Sequence, residues 1–334
     1  MSSQEVGSTF VQETASKFQS NKGENSQKLD IKIADVLIRI HTASQELRDF
    51  IYPALEWQAH YSDHNPDIEI FAIEGLETVK LPWSIDEYAE GNKLRGLDSG
   101  RVLGSFDIQH KNLSIFDRNT KQGIFWTPSA INLPEWEFGA PLRNILTWAL
   151  LDSGLHLVHA AAVGKKGVGV LLCGLGGSGK STTTALCLQN GFLTAGDDYC
   201  AISVSDGPKV YGIYGLLKLV PGAMGTANLS NPQGFKERSD GKMHYSIEAS
   251  MCKSLAISSI VFTKVGNETK TITRLSRIDG LLRLMSSTLP QAIIPQSELF
   301  ETMGVFTKAI SAYEFEVGSD FDNVRKTLDE LCLR

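Results

Sequence analysis

The sequence lacks three features that would place the protein on a nucleic acid, in a membrane or among disulfide-bonded proteins. It has no dense run of Lys and Arg, and its net charge of -6 is the opposite of the basic surface that nucleic-acid binding requires. No apolar segment approaches the roughly 20 residues of a membrane-spanning helix. The composition therefore predicts neither a nucleic-acid partner nor a membrane partner.

The cysteines show neither paired spacing nor an even number. Five are present, none in a C-x-x-C arrangement, and their sequence neighbours are mostly apolar. We expect buried free thiols and a reducing compartment. Residues 1–28 are rich in Ser, Gln, Glu and Lys and lack the apolar core of a signal peptide. They predict a disordered leader on a cytoplasmic protein.

The pattern of the next segment, residues 29–150, is typical of an α+β domain. Alternating apolar residues predict strands, and apolar residues at helical spacing predict helices. Turn residues between the strands favour an antiparallel sheet. The predicted strands are 29–40, 68–73, 101–108, 112–117 and 122–127, and the predicted helices are 43–60 and 139–152.

Residues 151–334 predict a second, α/β domain. Two apolar runs, 155–163 and 168–173, are separated by a short Gly-bounded turn and should pair antiparallel. A short strand at 192–195 follows, and residues 200–214 and 255–274 predict two further hairpins. Helices are expected at 179–189, 277–287, 297–312 and 321–333.

The segment GLGGSGKS, Gly174–Ser181, fits the phosphate-binding pattern G-x-x-x-x-G-K-[ST] and stands between a predicted strand and a predicted helix. Glycines let the backbone turn its N–H groups toward phosphate oxygens, and the positive end of the following helix faces the same anion. The lysine should reach the outer phosphates of ATP, and the serine hydroxyl should bind Mg²⁺. The predicted ATP-binding residues are Gly174, Gly176, Gly177, Ser178, Gly179, Lys180, Ser181 and Thr182.

Two adjacent carboxylates, Asp197 and Asp198, end the next predicted strand after this loop. Such a strand can return beside the loop strand, so its end should lie at the phosphate edge of the sheet. Phosphoryl transfer to a hydroxyl uses a metal ligand and a base, and Asp serves as both. We interpret Asp197 as the base and Asp198 as the Mg²⁺ ligand, with the opposite order left open.

In combination, three motifs resemble the catalytic domain of HPr kinase/phosphorylase. They are the run HAAAV that begins at His159, the phosphate loop, and Gly196-Asp197-Asp198. The loop and the Gly-Asp-Asp element also resemble ATP-dependent phosphoenolpyruvate carboxykinase. The resemblance covers residues 155–218 and implies the P-loop fold with a mixed sheet that these two families share. It also implies a serine kinase activity, catalytic roles for Lys180, Asp197 and His159, and compatibility with a homo-oligomer.

Departures from these families narrow the expected activity. The later Glu-containing signature of HPr kinases and the additional metal ligands of the carboxykinases have no counterpart, so neither phosphorolysis nor decarboxylation is expected. Lys218, Arg238 and Lys242 are weaker candidates for contacts with substrate or phosphate, the last two in or beside a predicted mobile loop over 221–241. A core role for His159 remains open.

The sequence therefore predicts an ATP- and Mg²⁺-dependent kinase that phosphorylates a hydroxyl, with a serine of a peptide or protein as the leading acceptor. The domain over residues 29–150 would recognise this substrate or a partner. Two alternatives remain open: a kinase for a small metabolite or sugar, and a non-catalytic ATP-binding module.

Overall fold

A computed structural model describes residues 1–20, 26–75, 79–84, 92–220, 241–266, 272–291, 296–318 and 320–333. The chain divides into an N-terminal unit, Met1–Ser153, and a C-terminal unit formed by Gly154–Ala292 and Gln296–Arg334. Both contain helices and a mixed sheet, so the fold class is α/β. Arg238 and most of the predicted loop 221–241 lie outside the described residues. No helix in the described ranges is long and apolar enough to cross a membrane.

The N-terminal unit is built on a sheet of six strands in the described part of the chain, in the order β1-β2-β3-β6-β5-β4. The predicted strand 29–40 is in fact a hairpin, because the chain turns at Ala34, where φ is 51°. β3 pairs parallel with both β2 and β6, so the sheet is mixed and the prediction of an antiparallel sheet is wrong. The strands are β1 (Gln27–Ile33), β2 (Val36–Thr42), β3 (Ile68–Glu74), β4 (Val102–Asp107), β5 (Asn112–Asp117) and β6 (Gln122–Thr127).

The prediction of a disordered leader is also wrong, because helix α1 (Ser3–Ser20) covers one face of this sheet. Its apolar side chains Phe10 and Val11 join the core formed by the strands. At one end, the Ser8 hydroxyl donates to the buried carboxylate of Asp117 (2.7 Å), which Arg101 also contacts (2.8 Å). The polar composition concealed an amphipathic helix whose apolar residues are few but all on one side.

Within the described ranges, the N-terminal unit also contains the α-helices α2 (Gln45–Leu55), α3 (Glu135–Phe138) and α4 (Arg143–Leu151). The hydroxyl of Ser44 caps α2 by accepting from the backbone N–H of Leu47 (3.2 Å). α4 packs on β5 and β6, where Gly123 allows a close approach. A Cβ atom at Gly123 would lie 2.7 Å from Cγ2 of Ile145.

The main sheet of the C-terminal unit has nine strands in the described ranges. Seven lie in the order β10-β8-β9-β15-β12-β11-β7, and β17 lies beside the C-terminal half of β15 and pairs with β16. β15 is parallel to both β9 and β17, and the other pairs are antiparallel. The strands are β7 (His156–Val158), β8 (Ala161–Lys165), β9 (Val168–Cys173), β10 (Leu193–Thr194), β11 (Cys200–Ser203), β12 (Lys209–Gly212), β15 (Ser254–Val265), β16 (Thr273–Arg274) and β17 (Ser311–Val317).

This topology confirms the predicted hairpin over 200–214, and it confirms the predicted pairing of 168–173 for the end of the preceding run, which forms β8. The start of that run, 156–158, is instead the separate strand β7, which pairs with β11 at the far edge of the sheet. The predicted hairpin over 255–274 is wrong, because β9 and β17 flank the C-terminal half of β15 and β16 pairs with β17 instead. The predicted helix 297–312 ends earlier, because its last residues begin β17.

Helices α5 (Lys180–Gln189) and α8 (Phe321–Cys332) cover one face of this sheet, where Leu186 and Leu328 enter a core with side chains from β8, β9, β15 and β17. On another side, α5 packs through Ala185 against a separate hairpin, β13 (Leu216–Leu219) and β14 (Met243–Ser246). The other α-helices of the described residues are α6 (Arg277–Thr288) and α7 (Gln296–Ala309), which contact each other. The fold thus brings the loop after β9, the residues after β10 and the strand β13 around α5.

Candidate functional site

The glycine-rich loop connects β9 to α5 as the sequence pattern predicts. Three of its glycines have positive φ, with values of 145° at Gly174, 80° at Gly177 and 94° at Gly179. Residues that carry a side chain disfavour a backbone conformation with positive φ, whereas glycine adopts it readily. At Gly174 a Cβ atom would also lie 2.5 Å from Oγ of Ser178. The loop conformation therefore depends on glycine at these positions.

The lysine of the loop is folded back onto the loop itself. Its Nζ donates to the carbonyl oxygens of Gly174 (2.7 Å) and Leu175 (3.3 Å). Lys180 is buried, and burial lowers the pKa of its ammonium, whereas the negative charges of Asp198 and Asp197 act in the opposite direction. A buried cation whose hydrogen bonds in the described part of the chain go to neutral carbonyls is well placed to bind an anion.

The next two residues of the pattern, Ser181 and Thr182, form the first turn of α5 and are partly buried. The Ser181 hydroxyl donates to Oδ2 of Asp197 at 2.7 Å. This hydrogen bond joins the phosphate loop to the carboxylate pair, which stands 16 residues later in the sequence. The two predicted motifs therefore meet at one point.

The carboxyl group of Asp197 is buried next to α5. Burial and the nearby charge of Asp198 raise the pKa of Asp197 to about 6, against the hydrogen bond from Ser181. Its second oxygen, Oδ1, is buried and has no hydrogen-bond partner among the described residues. A buried carboxylate oxygen without a donor is energetically unfavourable, so a bound cation or proton would stabilise it.

The carboxyl group of Asp198 lies between two basic side chains. Its Oδ2 contacts Nζ of Lys218 and its Oδ1 lies 3.2 Å from Nε2 of His159. Burial acts to raise the pKa of Asp198, but the charge of Lys218 and the contact with His159 outweigh it, so the pKa lies well below its usual range. The adjacent carboxylates are therefore electrostatically distinct, as acid and base pairs in enzymes often are.

His159 is held from both sides of its ring. Nδ1 lies 3.1 Å from the carbonyl oxygen of Ser287 in α6, and Nε2 faces Asp198. Both neighbours are acceptors, so only the doubly protonated imidazolium donates to both. The backbone N–H of His159 also donates to the hydroxyl of Thr288 (3.3 Å). His159 thus connects α6 to the carboxylate pair.

The hairpin β13–β14 positions Lys218. Its neighbours Leu217 and Leu219 pack against α5, and Lys218 is paired in register with His244 of β14. Lys242 stands directly before β14 and is partly buried. Of the weaker candidates from the sequence, Lys218 directly contacts the carboxylate pair, through its Nζ and Oδ2 of Asp198.

The order of strands differs from the expectation for the carboxylate pair. β8 stands between β10 and the loop strand β9, whereas the sequence suggested direct neighbours. Since β8 is antiparallel to both, β10 and β9 run in the same direction and end at the same edge of the sheet. At Gly196, where φ is 127°, a Cβ atom would lie 2.9 Å from the carbonyl oxygen of Tyr199. This glycine permits the sharp turn that delivers the pair.

A cavity of about 500 Å³ opens beside the loop. Its other walls come from the end of β15, from α6 and from β17, and no sequence motif predicted them. The hydroxyl of Thr263, near the end of β15 where ligand contacts are expected, lies 3.1 Å from Oγ of Ser178. The cavity is lined by Gly174–Ser178, Phe262–Val265, Arg283, Ser286, Ser287 and Glu314.

Comparison with protein-family models finds no match for this chain, and a search of curated protein sequences finds none either. Among the described residues there is no group of three or more His, Cys, Asp or Glu side chains that could hold a metal ion. The interpretation of the site therefore depends on its own geometry.

Proposed function

We propose that this protein is an ATP- and Mg²⁺-dependent kinase of the HPr kinase-like type, which transfers the γ-phosphate of ATP to a serine-like hydroxyl. The observation that carries the proposal is the hydrogen bond of 2.7 Å between Ser181 and Asp197. It joins the hydroxyl expected to bind a metal to a carboxylate, as phosphoryl-transfer sites require. The mixed α/β sheet of the C-terminal unit supports the likeness to that family.

The residues present suit Mg²⁺. This ion prefers oxygen ligands and takes one or two from protein side chains, with substrate phosphate oxygens and water completing its coordination. Ser181 and Asp197 supply a hydroxyl and a carboxylate, and Oδ1 of Asp197 lacks a partner among the described residues. When bound, Mg²⁺ would neutralise charge on the outer phosphates.

The roles of the two carboxylates follow from their surroundings. Asp197 is 2% exposed and bonded to Ser181, so we place it on the metal side, the opposite of our leading interpretation from sequence. The Asp198 side chain is 22% exposed, and we assign it to the acceptor hydroxyl. Lys218 and His159 keep this carboxylate ionised and in position, and Lys180 and Lys218 would face the negative charge of the transferring phosphate.

The proposal is tested by measuring ADP formation from ATP with Mg²⁺ and a panel of serine-containing peptides, amino acids and sugars. We expect transfer by the wild-type protein, and losses of at least about a hundredfold in Lys180→Ala and Asp198→Asn, because each removes a charge that acts in the transition state. Asp197→Asn should raise the Mg²⁺ concentration needed for half-maximal rate much more than Asp198→Asn does. Tight binding of ATP without transfer to any acceptor would refute the kinase and favour a regulatory ATP-binding module.

A further inference from the structure

The cavity beside the loop is separated from the carboxylate pair. Its wall includes Ser287, whose carbonyl oxygen lies 3.1 Å from Nδ1 of His159, and Asp198 lies beyond the other nitrogen of that ring. Among the described residues that line the cavity, neither Asp197 nor Asp198 is present. A ligand in the cavity is therefore bound away from the groups that we place at the transferring phosphate.

The order of strands places the carboxylate pair and the cavity on opposite sides of the loop strand β9. The pair follows β10, which β8 separates from β9, whereas the cavity takes walls from β15 and β17 on the other side of β9. The loop binds the row of phosphates between these two sides. A nucleotide whose terminal phosphate faces the carboxylate pair therefore has its nucleoside on the side of β15, where the cavity lies.

Two exposed apolar side chains line the cavity, one from the loop and one from β15. Leu175 and Val265 are each more than half exposed. A Cβ atom at Gly179 would lie 3.3 Å from Cγ2 of Val265, so this side chain stands beside the part of the loop that leads into α5. Large apolar side chains are usually buried, and two that line one cavity suit a ligand with flat apolar faces.

The cavity wall also holds a hydrogen-bond donor and an acceptor next to an aromatic ring. Nη1 of Arg283 contacts Oε2 of Glu314, and the guanidinium lies 5.9 Å from the centre of the Phe262 ring. The two charged side chains are 43% and 38% exposed, so their pairing contributes little to stability and leaves both able to bind a ligand. An adenine base has the matching groups, because its ring nitrogens accept hydrogen bonds and its 6-amino group donates them.

We propose that this cavity binds the adenine base of the nucleotide and that Arg283 and Glu314 select it; this rests on the proposed kinase function. Glu314 accepts from the 6-amino group, and Arg283 donates to a ring nitrogen. Leu175 and Val265 provide apolar contacts to the base. A volume of about 500 Å³ is within the usual range for small-molecule sites. The loop then holds the phosphates between the base and the carboxylate pair.

The test compares ATP with a ligand that has phosphates and no nucleoside. Calorimetric titrations with Mg²⁺ and without an acceptor would measure the binding of ATP, purine riboside triphosphate and inorganic tripolyphosphate. We expect ATP to bind about tenfold more tightly than tripolyphosphate or better, since only ATP places a base against the apolar side chains of the cavity. Purine riboside triphosphate lacks the 6-amino group and should bind more weakly than ATP, because the carboxylate of Glu314 then has no donor from the base.

Two variants separate the cavity from the loop. Ser286→Trp places a large side chain in the cavity wall, so it should weaken ATP binding about tenfold or more and leave tripolyphosphate binding unchanged. Glu314→Ala should remove the preference for ATP over purine riboside triphosphate. The matched control is Ile278→Trp, because Ile278 is an exposed residue of the same helix, α6, that does not line the cavity. It should leave every affinity unchanged.

The outcomes separate this inference from the kinase proposal. Equal affinities for ATP and tripolyphosphate, or an ATP affinity that Ser286→Trp leaves unchanged, would overturn the adenine subsite even if the protein transfers phosphate from ATP. Tighter binding of ATP that responds to both variants as expected, with no phosphoryl transfer to any acceptor, would support the subsite and refute the kinase. Binding of neither ATP nor tripolyphosphate would overturn both.

Discussion

Replacement of Asp197 by Asn is expected to stabilise the ligand-free protein at neutral pH while it impairs phosphoryl transfer. The folded state raises the pKa of Asp197 to about 6 from 3.8, because the carboxyl is buried next to Asp198. A raised pKa means that the folded chain binds this proton more tightly than the unfolded chain does. Ionisation of Asp197 therefore costs stability, and this cost is absent at low pH.

The magnitude follows from the shift. The pKa rises by about 2.2 units, from 3.8 to about 6, and at about 1.36 kcal/mol per unit this is about 3 kcal/mol. Wild-type stability from this group is present below pH 3.8 and is lost as the pH rises through 6. Asn cannot ionise, so its advantage over Asp should grow across this window by up to about 3 kcal/mol. At roughly 2–4 °C per kcal/mol, the melting temperature would rise by about 6–12 °C.

The assay is thermal and urea unfolding of both proteins at pH 4.5 and pH 8, with a chelator present to remove metal ions. The stability difference between Asp197→Asn and wild type should favour the variant more at pH 8 than at pH 4.5. A difference that is the same at both pH values, or that reverses, would refute the reasoning. Asp198→Asn is the control, because the pKa of Asp198 is lowered and its ionisation stabilises the fold above pH 3.8. This variant should therefore be less stable than wild type at both pH values.

Two further predictions concern residues outside the carboxylate pair. Lys218→Met leaves Asp198 without its contacting ammonium, so urea unfolding at pH 7 should show a loss of roughly 1–3 kcal/mol, and the rate of transfer should fall at least about tenfold. An unchanged stability would contradict the ion pair. Gly123→Ala places a methyl group 2.7 Å from Ile145 and should cost about 1–3 kcal/mol in urea unfolding, whereas calorimetric titration should give an unchanged ATP affinity. A weakened affinity would contradict the separation of this packing contact from the nucleotide site.

The local elements were predictable where one pattern dominated. The loop Gly174–Ser181, the strand before it and the helix after it follow from glycine placement and apolar periodicity, and the structure has them at these positions. The strand pairings that were predicted wrongly depend on residues far apart in the sequence. β15 is flanked by β9 and β17, and nothing in the residues around 255–274 distinguishes this from a hairpin, because strand partners are chosen by the packing of the whole sheet.

The prediction that residues 1–28 are disordered was wrong for a different reason. Most of α1 is polar, and its stability comes from Phe10, Val11 and Ala15 packed on strands of the same unit and from the contact of Ser8 with Asp117. The composition of a segment gives its average polarity. It does not show on which face of a helix the few apolar residues lie. The helix forms because a partner surface is available, which the residues of 1–28 alone do not specify.

For the candidate site, the sequence identified most of the chemical groups, whereas the fold determines the different contacts that each of them makes. Asp197 and Asp198 are chemically identical and adjacent, so their residue type does not assign their roles, and the order preferred from the sequence followed the family resemblance. The structure separates them by contact: Asp197 has the hydroxyl of Ser181, and Asp198 has Lys218 and His159. His159 in turn is fixed by the carbonyl of Ser287, a backbone group that no side-chain pattern reveals. Arg283 and Glu314 likewise become partners only because α6 and β17 meet beside the loop.

The different surroundings of Asp197 and Asp198 connect the stability of the protein to the proposed chemistry. A carboxylate that is destabilised when ionised, as Asp197 is, gains most from a bound cation, so Mg²⁺ and ATP should stabilise wild type more than Asp197→Asn. Asp198 is already neutralised by Lys218 and gains less. If ligand-induced stabilisation is lost in Asp197→Asn but retained in Asp198→Asn, Asp197 is on the metal side. The opposite pattern would return the metal to Asp198 and the base to Asp197.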